Sequence, residues 1–542
     1  MKKILLVFTL LTCGFVFSQE DAWVYFNSKP GAASFFANPI SELSQRALDR
    51  RTNQGISLDF TDAPIEQTYI DALTVATGIE VKAKSKWLNC VHVRGSVADI
   101  NALHAYTFVS QIIFADPALN TFMQNNQPIL NKKTIQPVHK KMDIQTNFSY
   151  GNSFNQIQML NGNLLHQQNY TGAGKIIAVM DAGFPGVDVA TPYQRLFNNN
   201  LILGGYNFVD KTANVYTLNS HGSMVLSCMG GYVDGQLVGT APDASYYLFI
   251  TEDVASENPV EESNWVEAAE EADRLGVDII TTSLGYFAYD NPAYSHSYAD
   301  MTGDKAFISK GANLAFSKGM VCVASAGNEG SNTEPHIGVP AEALHELAVG
   351  AVQADRSYAT FSSIGPSFDG RVKPDVMAQG QASVVSNPSG NLITASGTSF
   401  SGPIMAGMVA CLWQALPTLS NQQVVNFIKE SADRFTNPDF LFGYGIPDFQ
   451  LALNMANLNV KESLLEESLV YPNPTNDKVT ILFPSTINLE SLKVYNTLGQ
   501  KVKEIDSCNN PITFSLADLE SGIYYYEIMN VTKKFTGKII KK

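Results

Sequence analysis

Cysteine is scarce in this chain, with six among 542 residues, scattered singly at Cys13, Cys90, Cys228, Cys322, Cys411 and Cys508. No Cys/His spacing suited to zinc is present. Charge is sparse as well: 16% of residues are charged, the net charge is −15, and no basic cluster stands outside the extreme C-terminus. That balance argues against nucleic acid and anionic lipid as partners. No Walker or dinucleotide-binding glycine loop occurs. Past the N-terminus no run reaches about 18 uninterrupted apolar residues, so no transmembrane anchor is expected in the mature chain. Apolar residues are what the chain has in quantity, 45% of the whole, enough for more than one packed core.

The first residues carry an export pattern. Lys2-Lys3 precede an apolar stretch from Ile4 to about Val16 that is too short to span a bilayer, and Val16 and Ser18 are small enough for a cut before Gln19. Residues 1–18 are therefore read as a signal peptide. In an exported chain a disulfide is open, but Cys228, Cys322 and Cys411 fall inside apolar segments that favour buried thiols.

Three short stretches further on carry chemistry. Ile176-Ile177-Ala178-Val179-Met180-Asp181 is an apolar run between glycines, which reads as a buried parallel strand ending at Asp181. His221-Gly222-Ser223 opens a small-residue stretch to Gly230 that suits a helix packed closely on a sheet. Ser396 to Pro403 (SGTSFSGP) places Ser399 at a helix N-terminus, where the positive dipole end favours developing negative charge, and Pro403 loses little at an early helical position. Each motif alone reads equally well as a turn or cap; their conjunction does not. A serine hydroxyl needs a base to take its proton and a buried carboxylate to orient that base. The order Asp, His, Ser differs from Ser, acid, His and from His, Asp, Ser.

In these motifs and in that order the chain resembles the subtilases, a family of serine endopeptidases. The resemblance implies an Asp181-His221-Ser399 triad and no cofactor for the chemistry. It further implies an oxyanion hole formed by the Asn328 side chain, within Val321 to Gly330 (VCVASAGNEG), and the Ser399 N–H. Extended polypeptide substrates would pair with Ser283-Leu284-Gly285 and Ala324-Ser325-Ala326-Gly327, giving broad specificity. The family pattern is departed from in three places: Ala182 replaces the usual Ser or Thr, Ser223 the common Thr, and Phe400-Ser401-Gly402 the usual Met-Ala-Ala or Met-Ala-Ser. Ala182 leaves the Asp181 carboxylate short of one hydroxyl. The Tyr- and Phe-rich insertion from Tyr286 to Met301 is either a wall favouring large apolar side chains or a packed surface loop. Asp300, Gly303 and Asp304 have the makings of a structural calcium loop, although their spacing matches no specific motif.

Domain organisation follows from pattern changes. Strands at Ala22–Phe26, Ile79–Trp87, Cys90–Arg94 and Val109–Phe114 alternate with helices at Ser41–Arg51, Ile65–Thr77 and Val97–Tyr106, close to βαββαβ with one extra helix. In the family an inhibitory propeptide of ferredoxin-like α+β type lies across the active site, so 19–118 is read as propeptide, against a permanent α+β domain. Residues 119–147 are a polar processing linker. The peptidase domain, 148–453, is an α/β parallel-sheet fold with helices at Ile157–Gln168, Glu261–Leu275, Gly311–Lys318 and Ser420–Glu430, and strands at Val277–Thr282 and Val321–Ala324. After a linker at 454–468, short strands separated by turns make a small β-sandwich over 469–542. Its Tyr471-Pro472-Asn473-Pro474, Leu498-Gly499, LESGIY and lysine-ending tail resemble the type IX secretion sorting domain of Bacteroidetes; an accessory binding sandwich is the other reading. The expectation is a protease exported through the periplasm and secreted or held at the cell surface, with its own propeptide and the secretion machinery as partners. A catalytically weak or inactive subtilase-fold binding protein is the alternative, and the missing G-x-S-x-G around Ser399 weighs against an esterase.

Overall fold

The computed structural model describes residues 19–120, 147–466, 469–482, 491–506, 511–529 and 534–542. They fall into two compact units divided between Ala452 and Leu453. The signal segment, nearly all of the 119–147 linker, Cys13 and Cys508 lie outside the described residues. Among the described residues no helix is long and apolar enough to cross a membrane.

The first unit begins with an α+β body: β1 Gln19–Phe26, α1 Gln45–Asn53, α2 Gln67–Thr74, β2 Ile79–Ser85, β3 Cys90–Ser96, α3 Val97–Ala102 and β4 Val109–Phe114. Its antiparallel sheet has the order β2-β3-β1-β4. From Ala22 to Phe26 β1 is apolar without alternation because both of its faces are covered there. Ala22, Val24 and Phe26 join Ile70, Leu73 and Ile100 in this body's own core, while Trp23 joins Trp265 and Phe307 of the following body in a second one. Helix α1 begins four residues later than the sequence suggests, capped by the Ser44 hydroxyl, after a separate 3₁₀ turn at Pro39–Ser41.

The second body of this unit is built on β5 Ile176–Asp181, β6 Ile202–Asn207, α4 His221–Gly230, β7 Ser245–Ile250, α5 Val260–Leu275, β8 Ile279–Thr282, α6 Phe307–Ser317, β9 Val321–Ser325, β10 Leu347–Val352, β11 Val376–Gln379, α7 Thr398–Ala415 and α8 Asn421–Glu430. The seven strands are all parallel, in the order β11-β10-β9-β8-β5-β7-β6. Helices cover both faces, which is why β5 and β8 to β11 are buried at every residue. The helix expected over 157–168 is two pieces, Phe154–Gln158 and Gly162–Gln167. Between them Asn161 sits at φ 53°, its amide donating to Asp448 at 2.8 Å. A Cβ on Gly162 would stand 2.5 Å from the Met408 sulfur, so close packing on α7 dictates the break.

Helix α1 joins the two bodies. The C-terminal carbonyls of α5 and α6 have no partner within their own helices, and α1 and its flanks supply donors: Ser44 N–H to Arg274, Arg46 Nε to Gly276 at 2.9 Å, Arg50 Nε to Lys318 at 3.2 Å and Gln54 Nε2 to Gly319 at 2.8 Å. Cationic groups at these helix ends also oppose the macrodipole. Arg50 and Arg51 both bond the fully buried Asp273, and Arg51 also bonds Asp62 at 2.7 Å. Burial disfavours the Asp273 charge, but the two guanidinium groups hold its pKa at about 2.

Past the second body, the stretch read as a linker continues a helix, α9 Phe449–Glu466; it contains neither Gly nor Pro to stop one. The second unit has strands β12 Leu469–Tyr471, β13 Lys478–Leu482, β14 Ser491–Asn496, β15 Lys501–Asp506, β16 Ile512–Ser515, β17 Gly522–Met529 and β18 Lys534–Lys541. They form two sheets, β12-β13-β16 and β15-β14-β17-β18, around a core that includes Val479, Ile481, Leu492, Val494, Phe514 and Tyr526. Edge strands β15 and β18 are lysine-rich and escaped the sequence reading; charge on an edge discourages further pairing. Cys90, Cys228, Cys322 and Cys411 are free and buried.

Candidate active site

The strand order reverses around β5, and at such a switch point the carboxyl ends of neighbouring strands open a crevice. Four strand ends meet there. β5 finishes on Asp181, β7 stops two residues before Glu252, β8 leads into Ser283-Leu284-Gly285, and β9 leads through Ala326-Gly327 to Asn328. Helices α4 and α7 begin at the same crevice with His221 and with Thr398-Ser399.

Asp181 is fully buried. Its Oδ1 accepts from His221 Nδ1 at 2.8 Å and from the Ala182 N–H at 2.8 Å. Its Oδ2 is buried without a partner among the described residues, matching the hydroxyl that Ala182 lacks. The Asp181 charge raises the His221 pKa above its ordinary 6.5, against the opposing effect of burial. Gly222 allows the two residues to meet, because a Cβ there would lie 2.5 Å from the Gly183 carbonyl and 2.9 Å from Asp181 Cβ. The Ser223 hydroxyl, kept where the family has Thr, donates to the Pro185 carbonyl at 2.8 Å and pins the first turn of α4.

Ser399 occupies the second position of α7, in the turn whose N–H groups have no helical acceptor. Its hydroxyl donates to the Ser283 carbonyl at 3.4 Å and makes no hydrogen bond to His221. The Ser283 hydroxyl donates to the Ser399 carbonyl at 3.0 Å, and that of Ser325 to the Thr398 carbonyl at 2.7 Å, tying α7 to the ends of β8 and β9. Gly402 permits this approach: a Cβ there would stand 2.7 Å from Ser325 Oγ. Asn328 Oδ1 accepts from the Thr398 N–H at 2.9 Å and the Thr398 hydroxyl at 3.1 Å. With its oxygen held so, the amide NH₂ is left for the crevice, and Asn328 is exposed there.

The crevice holds about 380 Å³, and its walls include His221, Ser399, Asn328, Ser283, Leu284, Gly285, Ser325, Ala326 and Gly327. Ala324 is not among them: it is fully buried with Ile337 and Ala348, because its side chain points to the opposite face of β9 from that of Ser325. Of the 286–301 insertion, Tyr286 and Phe287 reach the crevice, whereas Tyr289, Tyr294 and Met301 are packed in the core. Asp300, Gly303 and Asp304 do not converge on a cation site. The Asp300 carboxylate accepts from the Ser297 N–H at 2.7 Å and pairs with Lys305, the Gly303 carbonyl accepts from Asn313 at 2.7 Å, and Asp304 is exposed. None of residues 19–118, read as the propeptide, lines the crevice; their apolar face and α1 are matched to α5 and α6. Glu252 was missed by the sequence reading. Its signal was its place just past an apolar strand of the same sheet.

A parallel α/β sheet with a buried Asp–His pair and a helix-terminal serine at its switch point defines a serine-hydrolase type of site. The chain belongs to the subtilase family, whose profile matches residues 172–445. It is 31% identical over 300 residues to subtilisin NAT of Bacillus subtilis subsp. natto, covering 55% of this chain and 70% of that one. To subtilisin DY of Bacillus licheniformis it is 29% identical over 298 residues, 55% of this chain and 97% of the relative. A solved structure of MycP1 with the N-terminal propeptide removed superposes with a TM-score of 0.44 at 23% identity, over 55% of this chain and 96% of that one. Residues 21–133 match the peptidase S8 propeptide domain of Bacteroidota, and residues 469–542 match the secretion system C-terminal sorting domain. The protein is thus a subtilisin-family serine endopeptidase that carries its own propeptide and a sorting domain for secretion or surface attachment.

Proposed function

We propose that this endopeptidase cleaves polypeptides through an acyl-enzyme formed on Ser399, with His221 as general base and Asp181 as the group that orients and supports the imidazole. The observation that carries the reading is the 2.8 Å Asp181–His221 bond at the wall of a crevice that also presents Ser399 and Asn328. In the first step the Ser399 oxygen attacks the scissile carbonyl while its proton passes to His221 Nε2. The C–O bond forms as the carbonyl π pair moves onto oxygen, and the resulting oxyanion is met by Asn328 Nδ2 and the Ser399 N–H. The imidazolium then protonates the leaving amine, the C–N bond breaks, and water repeats the sequence on the ester. Engaging His221 takes a side-chain rotation of Ser399 away from the Ser283 carbonyl, a tightening common between free and substrate-bound enzymes. Backbone pairing with Ser283–Gly285 and Ser325–Gly327 binds extended peptide without reading its sequence, which favours broad specificity. The enzyme reaches the cell exterior by way of the periplasm, with residues 19–118 docked on α5 and α6 as its propeptide and with no cofactor needed for the chemistry.

The test is hydrolysis of unfolded casein together with labelling by a fluorophosphonate. Wild type should do both, and Ser399→Ala should do neither while melting at the same temperature; undiminished turnover in that variant would overturn the assignment. The second reading, a weak or inactive binding protein, is favoured by the unpartnered Asp181 Oδ2 and the Ser399–Ser283 bond. It requires that folded wild type fail to label.

A further inference from the structure

We propose that Glu252 makes this cleft select substrates with a lysine or arginine side chain near the scissile bond. The inference rests on the peptidase reading above and names a substrate class for that same site. Glu252 stands on the wall that also carries His221, Leu284 and Tyr286. Its side chain is nine-tenths buried. The Tyr286 hydroxyl donates to its Oε2 at 2.8 Å, and its Oε1 accepts from no described residue. That oxygen opens to the crevice with no donor from the protein, so a ligand's donor can take the place of water there.

The surroundings sharpen the need. Glu257 and Glu261 bring carboxylate oxygens within 4.8 Å of that of Glu252 and of each other. Among the described residues no lysine or arginine lines the crevice, while Glu329 adds a second carboxylate to its walls. The result is a half-dry recess of crowded carboxyl groups with one open acceptor and no cation of its own. Burial and the Glu257 charge push the Glu252 pKa up to about 8. A substrate ammonium or guanidinium group supplies both missing things, a donor for Oε1 and a positive charge, and charge-assisted bonds gain strength where water is scarce. A divalent cation is the competing occupant. Against it, Glu261 already uses both oxygens, accepting from the Asp253 and Asn258 N–H groups at 2.9 and 3.0 Å, and Glu257 is exposed.

Matched fluorogenic peptides, differing only in Lys or Arg against Gln or norleucine at each position around the cleaved bond, test the proposal. Rates are taken per active site counted with fluorophosphonate, in EDTA and in millimolar calcium. At one position wild type should favour the cationic peptide by roughly 10- to 100-fold in kcat/KM, chiefly through KM, and the preference should weaken as salt rises. In Glu252→Gln, which keeps an acceptor for Tyr286, the ratio should fall towards one; Glu252→Asp should retain part of it. If the glutamine variant does not fold, the salt dependence and the aspartate variant still decide. Equal hydrolysis of cationic and neutral peptides by wild type overturns the proposal, as does a preference that survives Glu252→Gln. A preference abolished by calcium assigns the recess to a metal and overturns it too. Wild type that labels with fluorophosphonate but shows no preference refutes the specificity alone, whereas wild type that neither labels nor cleaves refutes the peptidase reading beneath it.

Discussion

A general base has to be neutral to accept a proton, and the Asp181 charge makes His221 harder to deprotonate than a free imidazole. Its pKa is raised, so activity should climb with pH through a midpoint above 6.5. A kcat/KM profile whose acid limb is centred well below 6.5 would contradict the pairing. Glu252 adds to the same upward pull on His221. At the oxyanion the expected loss is larger. Asn328→Ala should lower kcat by about 100- to 1,000-fold, the scale known for removing this donor in a subtilisin, with little change in KM, since the bond strengthens mainly in the transition state. A matching rise in KM would instead make Asn328 a substrate-binding group. Asn328 was legible from its turn, VCVASAGNEG. The pair of Thr398 hydrogen bonds that aims its amide was not, since Thr398 lies 70 residues away in the chain.

At the scale of elements, the site depends on helices seated unusually close to strand ends, and glycine makes that approach possible. Gly222→Ala would drive a methyl group into the Gly183 carbonyl. Overpacking of this kind costs about 1 to 3 kcal/mol, and relief by tilting α4 would carry His221 off Asp181. A thermal melt and a kcat measurement should therefore show both a lower midpoint and a disproportionate loss of turnover; unchanged kcat would mean that α4 has room to spare. Strands such as β5 and β9 were readable because a doubly buried strand writes itself as an apolar run. The break at Asn161 was not, as it answers to Met408 and Asp448, whereas the helical course of 449–466, read as a linker from 454, is written in the absence of any local stop signal.

Over the whole molecule, the propeptide is attached by its extra helix as well as by its sheet. Asp273 is the shared acceptor of Arg50 and Arg51, and breaking a buried ion pair from one side typically costs about 3 to 5 kcal/mol. In processed protein, Asp273→Ala should therefore shed the propeptide body during gel filtration under conditions where wild type retains it; equal retention would show that the apolar contacts around Trp23 suffice. Delivery is a separate matter. Removing residues 469–542 should leave active protease in the periplasm with peptide hydrolysis in vitro nearly unchanged, as fractionation of the native host would show. Wild-type levels outside the cell would refute the sorting role.

Local signals were enough to read the kinds of residue at the site, their order along the chain and the elements that bear them, because a strand end at Asp181, a helix start at Ser399 and a glycine turn at Asn328 are each encoded within a few residues. Distances and surroundings were decided only in three dimensions. Whether Ala324 faces the cleft, which carbonyls Arg46 and Arg50 cap, and that Glu252 shares a wall with His221 all depend on segments tens to hundreds of residues apart. Side-chain environment and charge coupling are properties of such packed neighbours, and no window of sequence contains them.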